Sequence, residues 1–311
     1  MEDSWASQPH ASKTILLRPP LARGLTVCSE VLYDLSGSYR DIVVQQWLEY
    51  HRLIGVDHFV IYDTDGSLSV GGVLDSYMVS GFVTYFPRFP QWALSKQHAF
   101  VHQGASFPSH AAPDAQAASH CLFSQRGVSE WVAFLHSPDE YLSSGRGLSD
   151  VRTQLLDPLR PLRSQGLAVV DVPAIYFTRG KEVLARRSPW LLGRYVYRAS
   201  EPIELPRWGS TVAGFLNRFP SPIVDPQRVG DLVSAHFPRA AAGSLYLDDV
   251  PQDFVRANHY GETFHVRRVI EKDDTPVHDE SALWAEAALA RLGLPPLPPG
   301  PEPTETYIST E

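Results

Sequence analysis

The chain has 311 residues, 43% of them hydrophobic and 11% aromatic, enough apolar mass for one large or two small domains with a buried core. A formal charge of -8 leaves no general basic surface of the kind that tracks a phosphate backbone, which argues against nucleic acid as a partner. Two cysteines, Cys28 and Cys121, make neither a disulfide framework nor a four-ligand zinc pattern, and both are expected to pack as small hydrophobes.

The opening residues MEDSWASQPH lack the basic and apolar pattern of a signal segment, and no Asn-x-Ser/Thr acceptor occurs. No apolar run reaches the roughly 18 residues that span a bilayer. The chain as given is expected to be soluble. Its location is open between the cytoplasm and, if an amino-terminal anchor is missing, a Golgi or secretory membrane.

In chain order, GLTVCSEVLY reads as a β-branched strand ending near Glu30 to Tyr33. DIVVQQWLEYHRLIG places Ile42, Val43, Gln46, Trp47, Tyr50 and Ile54 at helical spacing, with Asp41 near its start and Gly55 as its stop. VDHFVIYD predicts a buried strand that closes on the polar string from Asp63 to Ser67, VGGVLDSYMVSG a helix, and FVTYFPRF another strand. This βαβαβ order predicts an α/β fold with a mostly parallel sheet, whose ligands bind at the carboxyl ends of the strands. A helix over DAQAASHCLFSQRG then leads into the strand WVAFL, DVRTQLLDPLRPLRSQG reads as a Pro-interrupted helix, and LAVVDVPAIYF as one further strand. Residues 291–311 are Pro-rich and expected to be disordered.

WVAFLHSPDEYL, Trp131 to Leu142, ends its apolar run in His136, Asp139 and Glu140. Acidic groups at a strand tip suit a hard divalent cation such as Mg²⁺ or Mn²⁺, with His136 as a nitrogen ligand. Taken alone, the same stretch reads as a polar turn around Pro138. No phosphate-binding Gly-rich loop, nucleophile elbow or His-Glu-x-x-His helix occurs, which sets those chemistries aside.

Four ordered blocks give this stretch its company: WLEYHRLIGVDHFVIYD, VLDSYMVSGFVTYFP, QAASHCLFSQRGVSEWVAFLHSPDEYL and PIVDPQRVGDLVSAHFP. With NHY at Asn258 to Tyr260, they resemble glycosyltransferase family 92 from about Leu25 to about His265. The resemblance implies a GT-A-like fold: a nucleotide-binding mixed, mostly parallel sheet flanked by helices, with an irregular C-terminal part. It divides the chain into an N-terminal extension (1–23) and a domain (24–290) with a donor-binding half (24–180) and an acceptor-binding half (181–290), followed by the tail.

The activity so implied is inverting transfer of a hexose, galactose from UDP-galactose, to a glycan acceptor with the help of Mn²⁺ or Mg²⁺. Metal ligands carried over are Asp139, His136 and His259. Donor-binding candidates are Ser29, Glu30, Tyr33, Asp63, Asp65, Gln116, His120 and His236, and Asp249 is the candidate general base, ahead of Asp248 and Glu262. Asp63 and Asp65 read equally as turn-forming residues. Gln116 and His120, one helical turn apart, read equally as packing residues. Trp92, Trp190 and Trp208 are candidates for stacking on sugars. The family's Asp-x-Asp-Glu-Phe corresponds here to the run from His136 to Tyr141, and its Glu before the helix tryptophan to Gln46. That altered motif gives the alternative reading, a catalytically silent protein that binds sugar nucleotide or glycan.

Overall fold

The computed structural model describes residues 23–89, 111–143, 155–178, 188, 190–195, 197–198, 221–232, 238–248, 250–251, 254–260, 277–278 and 283–297. Strand β1 (Arg23–Leu32) is followed by helix α1 (Ser38–Leu53), whose Val43, Val44, Trp47, Leu48 and Tyr50 turn inward, and Gly55 ends it with a positive φ. Strand β2 (His58–Asp63) is buried at every position. A 3₁₀ turn (Ser67–Ser69), helix α2 (Asp75–Val79) and strand β3 (Val83–Pro87) complete the first unit.

Helix α3 (Ala111–Gln125) then leads into β4 (Ser129–Leu135) and β5 (Glu140–Ser143). Helix α4 (Leu159–Ser164), β6 (Leu167–Val170), β7 (Ala174–Thr178), helix α5 (Leu191–Arg194) and β8 (Tyr197–Arg198) follow. Last come β9 (Ile223–Val224), β10 (Val229–Leu232), β11 (Pro238–Ala240), β12 (Leu245–Leu247), β13 (Arg256–His259), β14 (Val277–His278) and helix α6 (Leu283–Arg291).

The main sheet has the order β12-β6-β9-β4-β1-β2-β3. Its strands run parallel except β9, which is antiparallel to β4 and to β6. This is the mostly parallel sheet that the element order predicts, with the mixed character and flanking helices that the family resemblance implies. Side chains alternate between its two faces with the strand period. Leu25, Val27, Phe59, Ile61, Trp131 and Ala133 join the α1 side, whereas Cys28, Val60, Tyr62, Val132 and Phe134 meet Ala117, Ala118 and Leu122 of α3. Burial on both faces explains why these strands read as near-continuous apolar runs.

The run LAVVDVPAIYF, which the sequence presents as a single strand, is divided between sheets, and so are the two strands flanking the polar turn from His136 to Asp139. β4 belongs to the main sheet and β5 to a second sheet, β14-β8-β7-β13-β5, and β6 and β7 divide in the same way across Pro173. The cysteines do not pack as separate hydrophobes. Cys28 on β1 and Cys121 on α3 face each other across the core with Cα atoms 6.3 Å apart, within disulfide reach, and are bonded. Leu297, inside the segment expected as a tail, is buried against the core. Among the described residues no helix is long and apolar enough to cross a membrane.

Candidate functional site at the carboxyl edge of the sheet

Where β4 leaves the main sheet, His136 to Asp139 make the turn into β5. Three side chains of α1 hold the far side of that turn. Trp47 donates its indole N–H to the Glu140 carbonyl at 2.8 Å, and Tyr50 donates its hydroxyl to the Leu142 carbonyl at 2.8 Å. His51 accepts the Leu142 N–H at Nε2 and therefore carries its proton on Nδ1, which donates to the Trp47 carbonyl at 2.8 Å. Burial pushes the pKa of His51 down to about 3, so this ring stays neutral. On its other edge β5 pairs with β13, placing Glu140 opposite His259, and the Tyr260 N–H donates to the Asp139 carbonyl.

These constraints gather acids and imidazoles into one network. His136 Nδ1 lies 2.9 Å from Glu30 Oε2, and the His136 N–H donates to Glu140 Oε2 at 2.6 Å. Ser221, just before β9, donates to Glu140 Oε1, and Ser137 donates to Asp139 Oδ1. His259 Nε2 stands 3.5 Å from Asp139 Oδ2, and the His136 and His259 ring centres are 6.5 Å apart. Burial opposes charge on His259, but Asp139, with Glu140 behind it, more than compensates and raises its pKa. Asp139 and Glu140 are fully buried, whereas His136 and Glu30 keep 27% and 16% of their side chains exposed, so the network opens to solvent at that pair.

Mn²⁺ and Mg²⁺ require several oxygen or nitrogen donors converging on one point. Here the donors face one another instead: Asp139 is engaged by Ser137 and His259, and His136 by Glu30. Among the described residues no group of three His, Cys, Asp or Glu side chains is arranged to hold a metal. As placed, these residues do not fit a cation, so no chemical step is derived through one.

The other candidates are distributed as follows. Ser29 Oγ accepts the Tyr62 N–H at 3.0 Å, where the register of β1 on β2 shifts. Asp63 is fully buried and accepts the N–H groups of Asp65, Gly66 and Leu68 and the Tyr85 hydroxyl. Gly66 makes that close approach in the left-handed region, at φ 75°. Asp65 accepts the N–H groups of Asp34 and Ser67. Both carboxylates thus hold the turn after β2. Tyr33 is half-buried just beyond β1. Gln116 and His120 sit on α3, and His120 Nδ1 meets the Tyr62 hydroxyl at 2.7 Å beside Phe86 and Phe89. Trp190 is buried in the core, and Asp248 is exposed after β12. Gln46 uses its side-chain oxygen to accept the Leu191 N–H at the start of α5. His236, Asp249, Glu262, Trp92 and Trp208 lie outside the described residues.

Two residues of this edge escape the sequence reading. Ser221 carries no local signal at all. Asp171 follows β6, which runs in the same direction as β4, and accepts the Tyr246 hydroxyl at 2.7 Å. Burial, reinforced by Asp248, raises its pKa to about 6 against the pull of that hydrogen bond. Its signal was an acid closing the run LAVV, hidden by reading LAVVDVPAIYF as one strand.

Residues 23–157 match the model of Glycosyltransferase family 92. A Ricinus communis protein described as a glycosyltransferase family 92 protein is 26% identical over 106 residues, 34% of this chain and 16% of that protein, so the match spans about a sixth of the relative's length. Among solved structures, S. aureus TarS 1-349 aligns with a TM-score of 0.38 and 11% identity over 75% of this chain and 60% of that one. Mannosyl-3-phosphoglycerate synthase from Rubrobacter xylanophilus aligns with a TM-score of 0.32 and 12% identity over 87% of this chain and 75% of that one. The family model and the curated relative agree: the amino-terminal part of the chain, residues 23–157, is similar to glycosyltransferase family 92.

Proposed function

We propose that the chain is a glycosyltransferase of GT-A-like architecture that moves a hexose, galactose from UDP-galactose, to a glycan acceptor with inversion. The observation that carries this reading is the network of His136, Glu30, Asp139, Glu140 and His259 at the carboxyl edge of the sheet, where α/β folds take their ligands. In direct displacement the acceptor oxygen bonds to the sugar carbon as the bond to the nucleoside diphosphate breaks, and charge grows on the leaving oxygen. His136, at the open end of the network, and His259, oriented by Asp139, are the groups assigned to face that charge. Asp249 is the proposed base for the acceptor proton, with Asp171 as a second candidate because its pKa of about 6 suits proton transfer near neutrality. Mn²⁺ or Mg²⁺ enters this reading through the family resemblance alone, and no step of the transfer is routed through it.

The alternative is a silent binder of sugar nucleotide or glycan, favoured by the engagement of Asp139 with Ser137 and His259. Release of UDP from UDP-galactose, measured with and without Mn²⁺ and with a panel of glycan acceptors, tests both. Turnover that falls in Asp139→Asn supports the transferase. UDP binding by calorimetry without turnover supports the silent binder, and neither binding nor turnover removes both.

A further inference from the structure

The opposite edge of the main sheet carries a second concentration of charge. Glu130 lies there near the start of β4, Asp225 directly follows β9, and α4 delivers Arg160 and Arg163 just before β6. Asp225 is 1% exposed, and its N–H donates to the Ala168 carbonyl. One of its oxygens accepts the Gln227 N–H at 3.0 Å, and the other accepts Nε of Arg163 at 3.0 Å and faces Nε of Arg228 at 3.3 Å. A single buried carboxylate therefore orients two guanidinium groups. Among the described residues, the terminal nitrogens of Arg163 and Arg228 make no ion pair or hydrogen bond. Arg160 completes the set, with Nε 3.5 Å from Glu130 and Nη1 3.7 Å from Asp157.

These side chains line a cavity of about 410 Å³. Arg160 is flanked by two carboxylates, Glu130 and Asp157, whereas Arg163 and Arg228 share the single carboxylate of Asp225, so positive charge is in local excess at the Arg163–Arg228 pair. Asp225 is already matched by Arg163 and the Gln227 amide, so an internal ion pair does not call for Arg228 as well. Two planar guanidiniums with free forked ends suit the oxygens of a phosphate or sulfate group. The volume lies in the range of about 300–1,000 Å³ typical of small-molecule sites, more than a bare oxyanion fills. Glu130 and His136 stand at opposite ends of β4, about 20 Å apart at the usual strand rise, which separates this cavity from the turn into β5.

We infer that this cavity is a second binding site, for an anion whose phosphate or sulfate group is held by Arg163, Arg228 and Arg160. Calorimetry on the full chain with glucose 6-phosphate, inorganic phosphate and sulfate, and with glucose as the neutral control, tests it. Binding of the anions without binding of glucose is expected. Arg228→Gln and Arg160→Gln, both at partly exposed positions that leave the core untouched, should each weaken it by about tenfold or more. Tighter binding of glucose 6-phosphate than of inorganic phosphate identifies a phosphorylated sugar as the ligand, and equal binding identifies the free oxyanion. Absence of anion binding, or binding that persists in both variants, overturns the inference.

Discussion

His259 on β13 and Asp139 in the turn before β5 face each other at 3.5 Å in the interior, brought together by the pairing of β13 with β5. Removing one member leaves the other buried without its counter-charge, a loss of about 3 kcal/mol or more. Asp139→Ala is therefore expected to lower the urea midpoint strongly. The double variant Asp139→Asn/His259→Gln should recover part of that loss, because neither buried charge is then left alone. A double-mutant cycle on unfolding free energies checks this, and strictly additive losses would contradict it.

Two buried histidines set the acid limit of the fold. Burial lowers His51 to about 3 and, with Arg23 nearby, His58 to about 4. Both take up protons in the unfolded chain near pH 6.5 but not in the folded one, so the unfolded state binds more protons in this window. Their contribution is complete above about pH 6.5 and is lost as pH falls toward the folded values. The acid limb of the stability profile should be shallower in His51→Gln than in wild type, by about 1.4 kcal/mol per pH unit. Equal slopes from pH 6 to 4 would show that the ring does not stay neutral.

Asp63 separates a structural from a donor-binding role. Its oxygens close the turn after β2 through three backbone N–H groups and the Tyr85 hydroxyl. Asp63→Ala should cost about 3 kcal/mol of stability through buried donors left unmet. UDP affinity at a temperature where the variant is fully folded decides the rest. An affinity close to wild type assigns Asp63 to the turn, and a tenfold loss assigns it to the donor as well.

The Cys28–Cys121 bond closes a loop across 93 positions. Loop-closure entropy for that span corresponds to about 4.6 kcal/mol of stabilisation. Reduction, or Cys28→Ser with Cys121→Ser, should lower Tm by roughly 10 °C. Scanning calorimetry with and without reductant measures it.

The sequence made α1 legible because its apolar spacing and its Gly55 stop agree with its packing. The parallel unit β1-β2-β3 was legible because each strand is a short buried run between turn residues. The turn His136 to Glu140 stood out for the same local reason, acids closing an apolar run. What failed was everything set by a partner far along the chain. β9 has two residues and no period to read, Ser221 is one serine before a proline, and the passage of β5 and β7 into a second sheet follows from how the strands pair. The disulfide was missed because two cysteines carry no spacing signal, and only the stacking of α3 on β1 brings them into reach.

The antiparallel β9, wedged between β4 and β6, also has a consequence for the birth of the protein. β6 emerges from the ribosome well before its neighbour in the sheet exists, and it must wait for Ile223 and Val224 before its edge is covered. The half built from β1, β2, β3 and β4 can assemble during synthesis, while β6 and β12 are recruited late through contacts distant in sequence. Chains truncated before residue 223 should accordingly expose the apolar segment LAVV and depend on chaperones, which makes this two-residue strand the gate between a nascent half-sheet and a finished one.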